Sequence, residues 1–215
     1  SIRIARAATG RDKVAICGYH GWHDWYLSAN LSHKKNLDGH LLPGLQPAGV
    51  PRKMIGTSIP FTYGDTKTIK NEIETNELAA VKMEVCRSSK PDIAFLKEIR
   101  KLTKKHNTVL IFDECTSGFR ECYGGLHKKV GINPDMVMYG KTMGNGYAIT
   151  AVVGKDEVMA AAESTFISST FWTERVGPAA ALSSLAIMKD EKPWIVMNKQ
   201  ANKVIKFWDQ TAKEF

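Results

Sequence analysis

The chain has 215 residues, of which 43% are hydrophobic and 24% charged, and its formal net charge is +8 at pH 7. This composition is typical of a globular protein and excludes a disordered chain, and the length allows one large domain or one domain with part of another. The basic residues are scattered over several segments, which favours solvated faces over a nucleic-acid groove. We therefore expect no nucleic acid as partner. No apolar run reaches the roughly 18–20 residues that a membrane-spanning helix needs, so we expect no membrane partner either.

Five short runs rich in apolar or β-branched residues predict strands. In chain order they are Val14–Cys17, Ala79–Met83, Val109–Phe112, Met136–Tyr139 and Ile149–Val153. Amphipathic or alanine-rich stretches predict helices over residues 92–106, 156–163, 176–188 and 194–213. Strands that alternate with helices indicate an α/β fold with a mainly parallel central sheet.

Two stretches interrupt this alternation. Residues 28–65 are rich in Gly, Pro, Asn and His and predict a long loop, which is uncommon unless it covers a site or an interface. The charged stretch KDEKP at residues 189–193 predicts a boundary between the α/β domain and the element that follows.

The chain has four cysteines, and no two of them form a CxxC pair. They are Cys17, Cys86, Cys115 and Cys122. This usage favours reduced thiols and a cytoplasmic location.

Chemically useful side chains follow four of the predicted strands. They are Tyr19 and His20, Glu84, Asp113 and Glu114, and Lys141. Ligands of open parallel sheets bind beyond the carboxyl ends of the strands. We therefore expect these side chains to line one crevice.

Lys141 lies in the stretch MVMYGKTMGNG, which is compatible with three interpretations. The first is the end of a phosphate-binding P-loop, but that motif needs a glycine at position 135, where Asp135 would repel phosphate. The second is an ordinary solvated lysine in a turn. The third is a lysine that forms a Schiff base with a carbonyl cofactor such as pyridoxal phosphate (PLP). A PLP site also needs an acid that keeps the pyridine nitrogen protonated and a ring that stacks on the cofactor, and Asp113 and Tyr19 are suitable.

The chain resembles the class III PLP-dependent aminotransferases of fold type I, and within them the glutamate-1-semialdehyde 2,1-aminomutase-like branch. The matching stretches are GYHGWHDWYL (18–27), VLIFDECTSGFR (109–120), PDMVMYGKTMGNGYAITAVVG (134–154) and SSTFWTERVGPAA (168–180). They have the order and spacing of that family and cover nearly the whole chain. The resemblance implies a three-layer large domain and PLP-dependent amino-group transfer.

The resemblance also implies roles for individual residues around the cofactor ring. Lys141 would form the Schiff base and move the proton between substrate and cofactor. Asp113 would pair with the pyridine nitrogen, Tyr19 would stack on one face of the ring, and His20 would lie close by. Cys115 would pack against the other face.

Further roles implied by the resemblance lie outside the ring. Thr170 would contact the cofactor phosphate of the partner subunit across a homodimer interface, and Glu114 would orient neighbouring groups. Glu84 and Arg120 are candidates for binding the substrate, although a structural salt bridge is an equally good interpretation of Arg120. The expected substrates are a small-molecule amino donor and a carbonyl acceptor.

The sequence departs from the family at three places. Glu84 is followed by Val85 where the family has proline, the Ser/Gly/Thr-rich phosphate loop that precedes a helix like residues 1–9 is absent, and so is most of the small C-terminal domain. We therefore expect residues 1–190 to form an incomplete PLP-binding large domain and residues 191–215 to begin the small domain. The departures leave a second function open, that of a catalytically degenerate binding or scaffold relative.

Overall fold

The structure, a computed structural model, describes residues 1–87 and 89–214 and is built around a six-stranded sheet. The strands are β1 Lys13–Cys17, β2 Ser58–Pro60, β3 Leu78–Met83, β4 Val109–Asp113, β5 Met136–Tyr139 and β6 Ala151–Gly154. Their spatial order is β2-β1-β3-β4-β5-β6, with every neighbouring pair parallel except β5 and β6. The predicted α/β fold with a mainly parallel sheet is confirmed.

Helices cover the sheet on both faces. They are α1 Ile2–Thr9, α2 Asp24–Leu27, α3 Ala29–Ser32, α4 Thr66–Thr75, α5 Ile93–Lys105, α6 Leu126–Val130, α7 Asp156–Met159, α8 Ala161–Ser164, α9 Val176–Glu191 and α10 Trp194–Glu214. Short 3-10 turns lie at Arg52–Met54, Lys141–Met143 and Thr170–Thr173. In the described part of the chain, no helix is long and apolar enough to cross a membrane.

Alternating side chains of the strands build two cores, because successive residues of a strand point to opposite faces. On one face, Val81 and Phe112 pack with the apolar residues of α4 and α5. On the other face, Ala80 and Ile111 pack with α1 and with Tyr26. The second face is the one that carries the candidate site.

The predicted helix at 92–106 is observed as α5 and shows how well a capped amphipathic helix can be predicted. The Asp92 carboxylate accepts a hydrogen bond from the Phe95 backbone N–H (3.0 Å) and begins the helix. Lys104 and Lys105 occupy its last turn, where the macrodipole favours cations.

Several boundaries differ from the prediction. The expected strand 149–153 is observed two residues later as β6, and the expected helix 156–163 is two short helices, α7 and α8. The prediction of an unbroken loop over 28–65 is wrong, since this segment contains α3, a 3-10 turn and β2. The strand β2 is only three residues long and ends in Pro60, which an edge strand tolerates because it needs no ladder on its outer side.

The helices α9 and α10 are separated by two residues, Lys192 and Pro193, that lie inside the KDEKP stretch. Lys192 adopts a left-handed conformation (φ 50°) that ends α9, and Pro193 precedes α10. The helix α10 buries none of its side chains in the described residues. The division into domains at residue 190 stays a prediction.

Candidate active site at the carboxyl edge of the sheet

The predicted convergence of side chains at one sheet edge follows from the observed topology. The strands β1, β3, β4 and β5 are consecutive and parallel, so their carboxyl ends lie side by side. His20 follows β1, Asp113 ends β4, and Lys141 follows β5 after Gly140. Asp113 is aligned with Met138, three residues before Lys141 on the neighbouring strand.

Asp113 is the centre of a buried polar cluster. Its Oδ2 lies 2.9 Å from His20 Nδ1 and 3.3 Å from Lys82 Nζ, and its Oδ1 accepts a hydrogen bond from the Cys115 backbone N–H (3.2 Å). Burial alone would raise the pKa of Asp113, but the hydrogen bond from His20 and the charge of Lys82 outweigh burial and hold the pKa well below its usual range. Asp113 is therefore ionised at neutral pH.

His20 supports this carboxylate from the loop after β1. Its ring is buried between Asp113 and the Cys17 carbonyl oxygen, which lies 3.1 Å from Nε2. Both oxygens favour a charged imidazolium, whereas burial and the charge of Lys82 oppose it, and burial, the largest effect, lowers the pKa of His20 to about 4. A neutral His20 can donate its Nδ1 proton to Asp113 at physiological pH.

Tyr19 lies beside His20 and is half-buried. Its ring meets the ring of Tyr26 edge-on, with the centroids 6.1 Å apart. The Tyr26 hydroxyl donates to the Gly18 carbonyl oxygen (3.0 Å), which fixes the turn that carries Tyr19. The predicted stacking residue thus lies at the same edge as Asp113.

Lys141 begins a 3-10 turn directly after β5. Its backbone has φ 45°, a left-handed conformation that is uncommon for a lysine and is found most often at functional sites. Its exposed Nζ donates to the Thr116 hydroxyl (2.7 Å). Lys141 is thus an accessible amine held by a neighbour of Asp113.

A glycine brings the Lys141 turn close to Cys115. A Cβ at Gly140 would lie 3.2 Å from Thr150 Cγ2 and 3.5 Å from Cys115 Sγ, so the absence of a side chain permits this approach. Burial, followed by the negative charge of Asp113, raises the pKa of Cys115 to about 12. Cys115 is a neutral packing group here and not a thiolate nucleophile.

The P-loop interpretation of this turn has no support in the structure. Asp135, which stands where a P-loop needs glycine, accepts hydrogen bonds from the Leu110 backbone N–H (2.9 Å), Arg100 (2.8 Å) and Lys155 (2.8 Å). It ties the start of β5 to β4 and α5, so its role is structural.

Glu84 lies next to this cluster and faces another cavity. Its Oε2 accepts from Arg87 Nε (2.6 Å), and its side chain packs so closely on Gly18 that a Cβ there would lie 2.7 Å from Oε2. Burial raises the pKa of Glu84, while Arg87 opposes the rise. The cavity, of about 380 Å³, is lined in part by His40 from the 28–65 segment, and the covering role of that segment stays a prediction.

Three other predicted residues are not joined to the Asp113 cluster by the hydrogen bonds and ion pairs of the described residues. The Glu114 carboxylate is fully buried and binds His127 and the backbone N–H groups of Leu126 and His127. Arg120 and Thr170 are exposed, and Arg120 contributes its backbone carbonyl to a contact with Asn198 (3.4 Å). The predicted contact of Thr170 with a partner subunit stays a prediction.

Lys82 is the member of the site that the sequence interpretation missed. It is the next-to-last residue of β3, it is 2% exposed, and its Nζ lies 3.3 Å from Asp113 Oδ2. A lysine inside the apolar run LAAVKM was the available signal, because a lysine is almost never buried without a partner.

The residues present fit the ring end of PLP. In the part of the chain that the structure describes, Oδ1 of the ionised Asp113 accepts one hydrogen bond, from the Cys115 backbone N–H, and this oxygen can accept a further one. An accessible amine at Lys141 and the aromatic ring of Tyr19 lie at the same edge. This donor set suits a protonated ring nitrogen and an aldehyde.

Comparison with known proteins identifies the family. The family model of the class-III aminotransferases matches residues 1–210. The 3-aminobutyryl-CoA aminotransferase of Cloacimonas acidaminovorans is 33% identical over 99% of this chain and 49% of the relative. The glutamate-1-semialdehyde 2,1-aminomutase of Rhodopirellula baltica is 30% identical over 99% of this chain and 50% of the relative. The chain thus spans about half the length of these curated relatives.

Solved structures agree with this assignment. An omega-transaminase from Sphaerobacter thermophilus superimposes with a TM-score of 0.73 at 30% identity, over 87% of this chain and 46% of that chain. The PLP internal aldimine form of the FumI protein from Sphingopyxis sp. MTA144 superimposes with a TM-score of 0.75 at 25% identity, over 88% and 44%. The fold is that of the PLP-dependent transaminases of fold type I.

Proposed function

Because the chain belongs to the class-III aminotransferase family, we propose that the protein transfers amino groups between small molecules with PLP as its cofactor. The observation that carries the proposal is the placement of an ionised Asp113 and an accessible Lys141 on neighbouring parallel strands. Both an aminotransferase and a glutamate-1-semialdehyde-type aminomutase are compatible with these residues, as the names of the relatives illustrate.

The cofactor would be held by residues of three strand ends. Asp113 would accept a hydrogen bond from the protonated ring nitrogen, Tyr19 would pack on one face, and Cys115 would pack on the other as a neutral thiol. Lys141 would hold the cofactor through its amine. When bound, PLP supplies an electron sink that stabilises a carbanion next to the amino group.

Lys141 would also move the proton that the reaction transfers. Its Nζ is a flexible amine on an exposed stem, and the Thr116 hydroxyl at 2.7 Å gives it a fixed resting position. An amine in this position can take a proton at Nζ and return it to a neighbouring carbon, which is general acid–base catalysis. Asp113 and His20, 2.9 Å apart, would keep their charge states during this transfer.

We also propose a homodimer in the cytoplasm. Thr170 is exposed in the 3-10 turn Thr170–Thr173, beside the exposed rings of Phe171 and Trp172, so this segment is available for contact with a second copy. Such a contact would let Thr170 reach the cofactor phosphate in the other subunit. The four cysteines are free thiols, as expected for a reducing compartment.

Borohydride reduction tests the proposed function directly. The full-length protein is incubated with PLP, reduced, digested and analysed by mass spectrometry. We expect a pyridoxyl group on Lys141 and its loss in Lys141→Arg, while Lys155→Met, which changes a lysine outside the site, keeps the adduct. An unmodified Lys141 in the reduced wild-type protein would show that the proposal is wrong.

A further inference from the structure

Lys82 occupies a position where an apolar side chain would be expected. In the sheet it lies between Ile16 of β1 and Ile111 of β4, and both of these neighbours are fully buried. Its own side chain is 2% exposed. Burying an ammonium group costs several kcal/mol unless partners compensate, so the surroundings of Nζ indicate why a lysine is present.

Three electron-rich groups surround this ammonium. Asp113 Oδ2 lies at 3.3 Å, the Met138 thioether sulfur accepts at 2.9 Å, and the Trp25 ring lies below with its centroid at 5.1 Å. A carboxylate, a sulfur and an aromatic face all favour a cation. Burial lowers the pKa of Lys82, and the charge of Asp113 opposes the decrease.

The other ionisable groups that face this pair are few in the described residues. They are the His20 imidazole after β1, Glu84 after β3 and the Cys115 thiol after β4. Burial lowers the pKa of His20 to about 4. Among these groups, Lys82 and Asp113 form the ion pair that links β3 to β4, with Nζ and Oδ2 3.3 Å apart.

The two oxygens of Asp113 have unequal partners. Oδ2 contacts both His20 Nδ1 and Lys82 Nζ, whereas among the described residues Oδ1 accepts a single hydrogen bond, from the Cys115 backbone N–H at 3.2 Å. The two donors on Oδ2 fix the carboxylate plane. Oδ1 is then the oxygen left for a ligand.

We propose that Lys82 is a positioning residue of this site, which holds Asp113 with Oδ1 turned to the ligand and reduces the negative charge that the carboxylate presents to the cofactor. This inference rests on the proposed function, since it assigns Lys82 a role toward PLP. A cation beside Asp113 makes protons on the bound cofactor easier to lose. Lys82 therefore sets the pH range in which the cofactor holds its protons.

The first experiment needs no cofactor. His20 shares Asp113 Oδ2 with Lys82, so its titration reports the charge of Lys82. In the full-length protein with labelled histidine, we expect the NMR titration midpoint of His20 to move to higher pH by about one pH unit in Lys82→Met. Lys82→Arg, which keeps the charge, should restore the low midpoint, and Lys155→Met should leave it unchanged. An unchanged midpoint in Lys82→Met would overturn the proposal.

The second experiment uses the cofactor. The absorbance of PLP bound to the full-length protein is titrated with pH in the same variants. We expect the midpoint of the absorbance change to move to higher pH in Lys82→Met and to stay in place in Lys155→Met. If the midpoint of Lys82→Met coincides with that of the wild type while PLP still modifies Lys141, Lys82 only fills space and the proposal fails.

The two experiments separate this inference from the proposed function. If wild-type Lys141 takes up no PLP, the proposed function fails together with the cofactor role of Lys82, and a shifted His20 midpoint then shows only that the two charges are coupled. Should Lys82→Met fail to fold, Lys82→Gln replaces it, because a neutral amide of similar reach can still donate to Asp113. The same shift to higher pH supports the proposal, and its absence overturns it.

Discussion

Asp113 and Glu114 are consecutive carboxylates at the end of β4, and they lie in two different polar clusters on opposite faces of the sheet. Asp113 contacts His20 and Lys82 on the α1 face. Glu114 contacts His127 and the start of α6 on the other face. Each carboxylate has a histidine partner at 2.9 Å, so the two clusters look alike at first.

The two clusters differ in whether the carboxylate can accept a further hydrogen bond. The oxygens of Glu114 accept from two backbone N–H groups, the His127 ring and the Ser117 hydroxyl, and the residue is 0% exposed. Asp113 is 8% exposed, and within residues 1–87 and 89–214 its Oδ1 accepts one hydrogen bond. A saturated carboxylate holds a loop in place, whereas an unsaturated one at a strand end can bind a ligand.

The largest effect is expected from Asp113→Asn. A neutral amide cannot hold the protonated ring nitrogen, so we expect kcat/KM for amine transfer to fall by about 10²–10³-fold. The assay uses the full-length protein with PLP in excess. Asp135→Asn is the matched control, because it removes a buried acid with two cationic partners outside the site. An equal loss of activity in both variants would contradict the difference between binding and structural acids.

In contrast to Asp113→Asn, Glu114→Gln should lower the stability of the fold and leave the activity nearly unchanged. The amide places its NH₂ group against one of the two backbone N–H groups, of Leu126 and His127, that now bind the carboxylate, so we expect the free energy of unfolding to fall by about 3 kcal/mol. Urea unfolding at pH 7 measures this loss. Activity per folded molecule should stay close to that of the wild type. A large loss of activity in a fully folded variant would place Glu114 in the catalytic machinery.

Lowering the pH should destabilise the folded protein through His20, the histidine partner of Asp113. Its folded pKa of about 4 lies below the ordinary value of 6.5, so between these two values the unfolded chain binds more protons and the folded state loses stability as the pH falls. The loss from pH 7 to pH 5 attributable to this residue is about 2 kcal/mol. His20→Gln should show a smaller difference between the two pH values, and an identical difference in wild type and variant would refute the assignment.

The sequence was sufficient to predict five of the six strands and the sheet edge at which Asp113 and Lys141 lie, because strand ends in parallel sheets are marked by polar residues after apolar runs. Asp113 and Lys141 were predicted in this way, and their strands are neighbours. The strand β2 and the helix α4 were missed for lack of signal. The helix buries only Ile69 and Ile73, and the strand has three residues.

Side-chain partners were harder to predict than positions. Nothing in the DE dipeptide indicates that Glu114 is saturated by residues 12 and 13 positions later, since this depends on the turn that precedes α6. The role of Lys82 depends on Met138 and Trp25, which come from two other parts of the chain. Contacts of this kind follow from tertiary packing and not from local pattern.

The smallest expected effect concerns two adjacent hydroxyls that belong to the two clusters. Thr116 accepts a hydrogen bond from Lys141 Nζ at 2.7 Å, and Ser117 donates to Glu114. Thr116→Val keeps the shape but removes the acceptor, so we expect activity to fall about fivefold, the worth of one ordinary hydrogen bond, with little change in stability. Ser117→Ala should instead lower the free energy of unfolding by about 1 kcal/mol and keep the activity. The two variants are compared by kcat/KM and by urea unfolding. Loss of stability in Thr116→Val together with loss of activity in Ser117→Ala would show that the boundary between the clusters does not fall between residues 116 and 117.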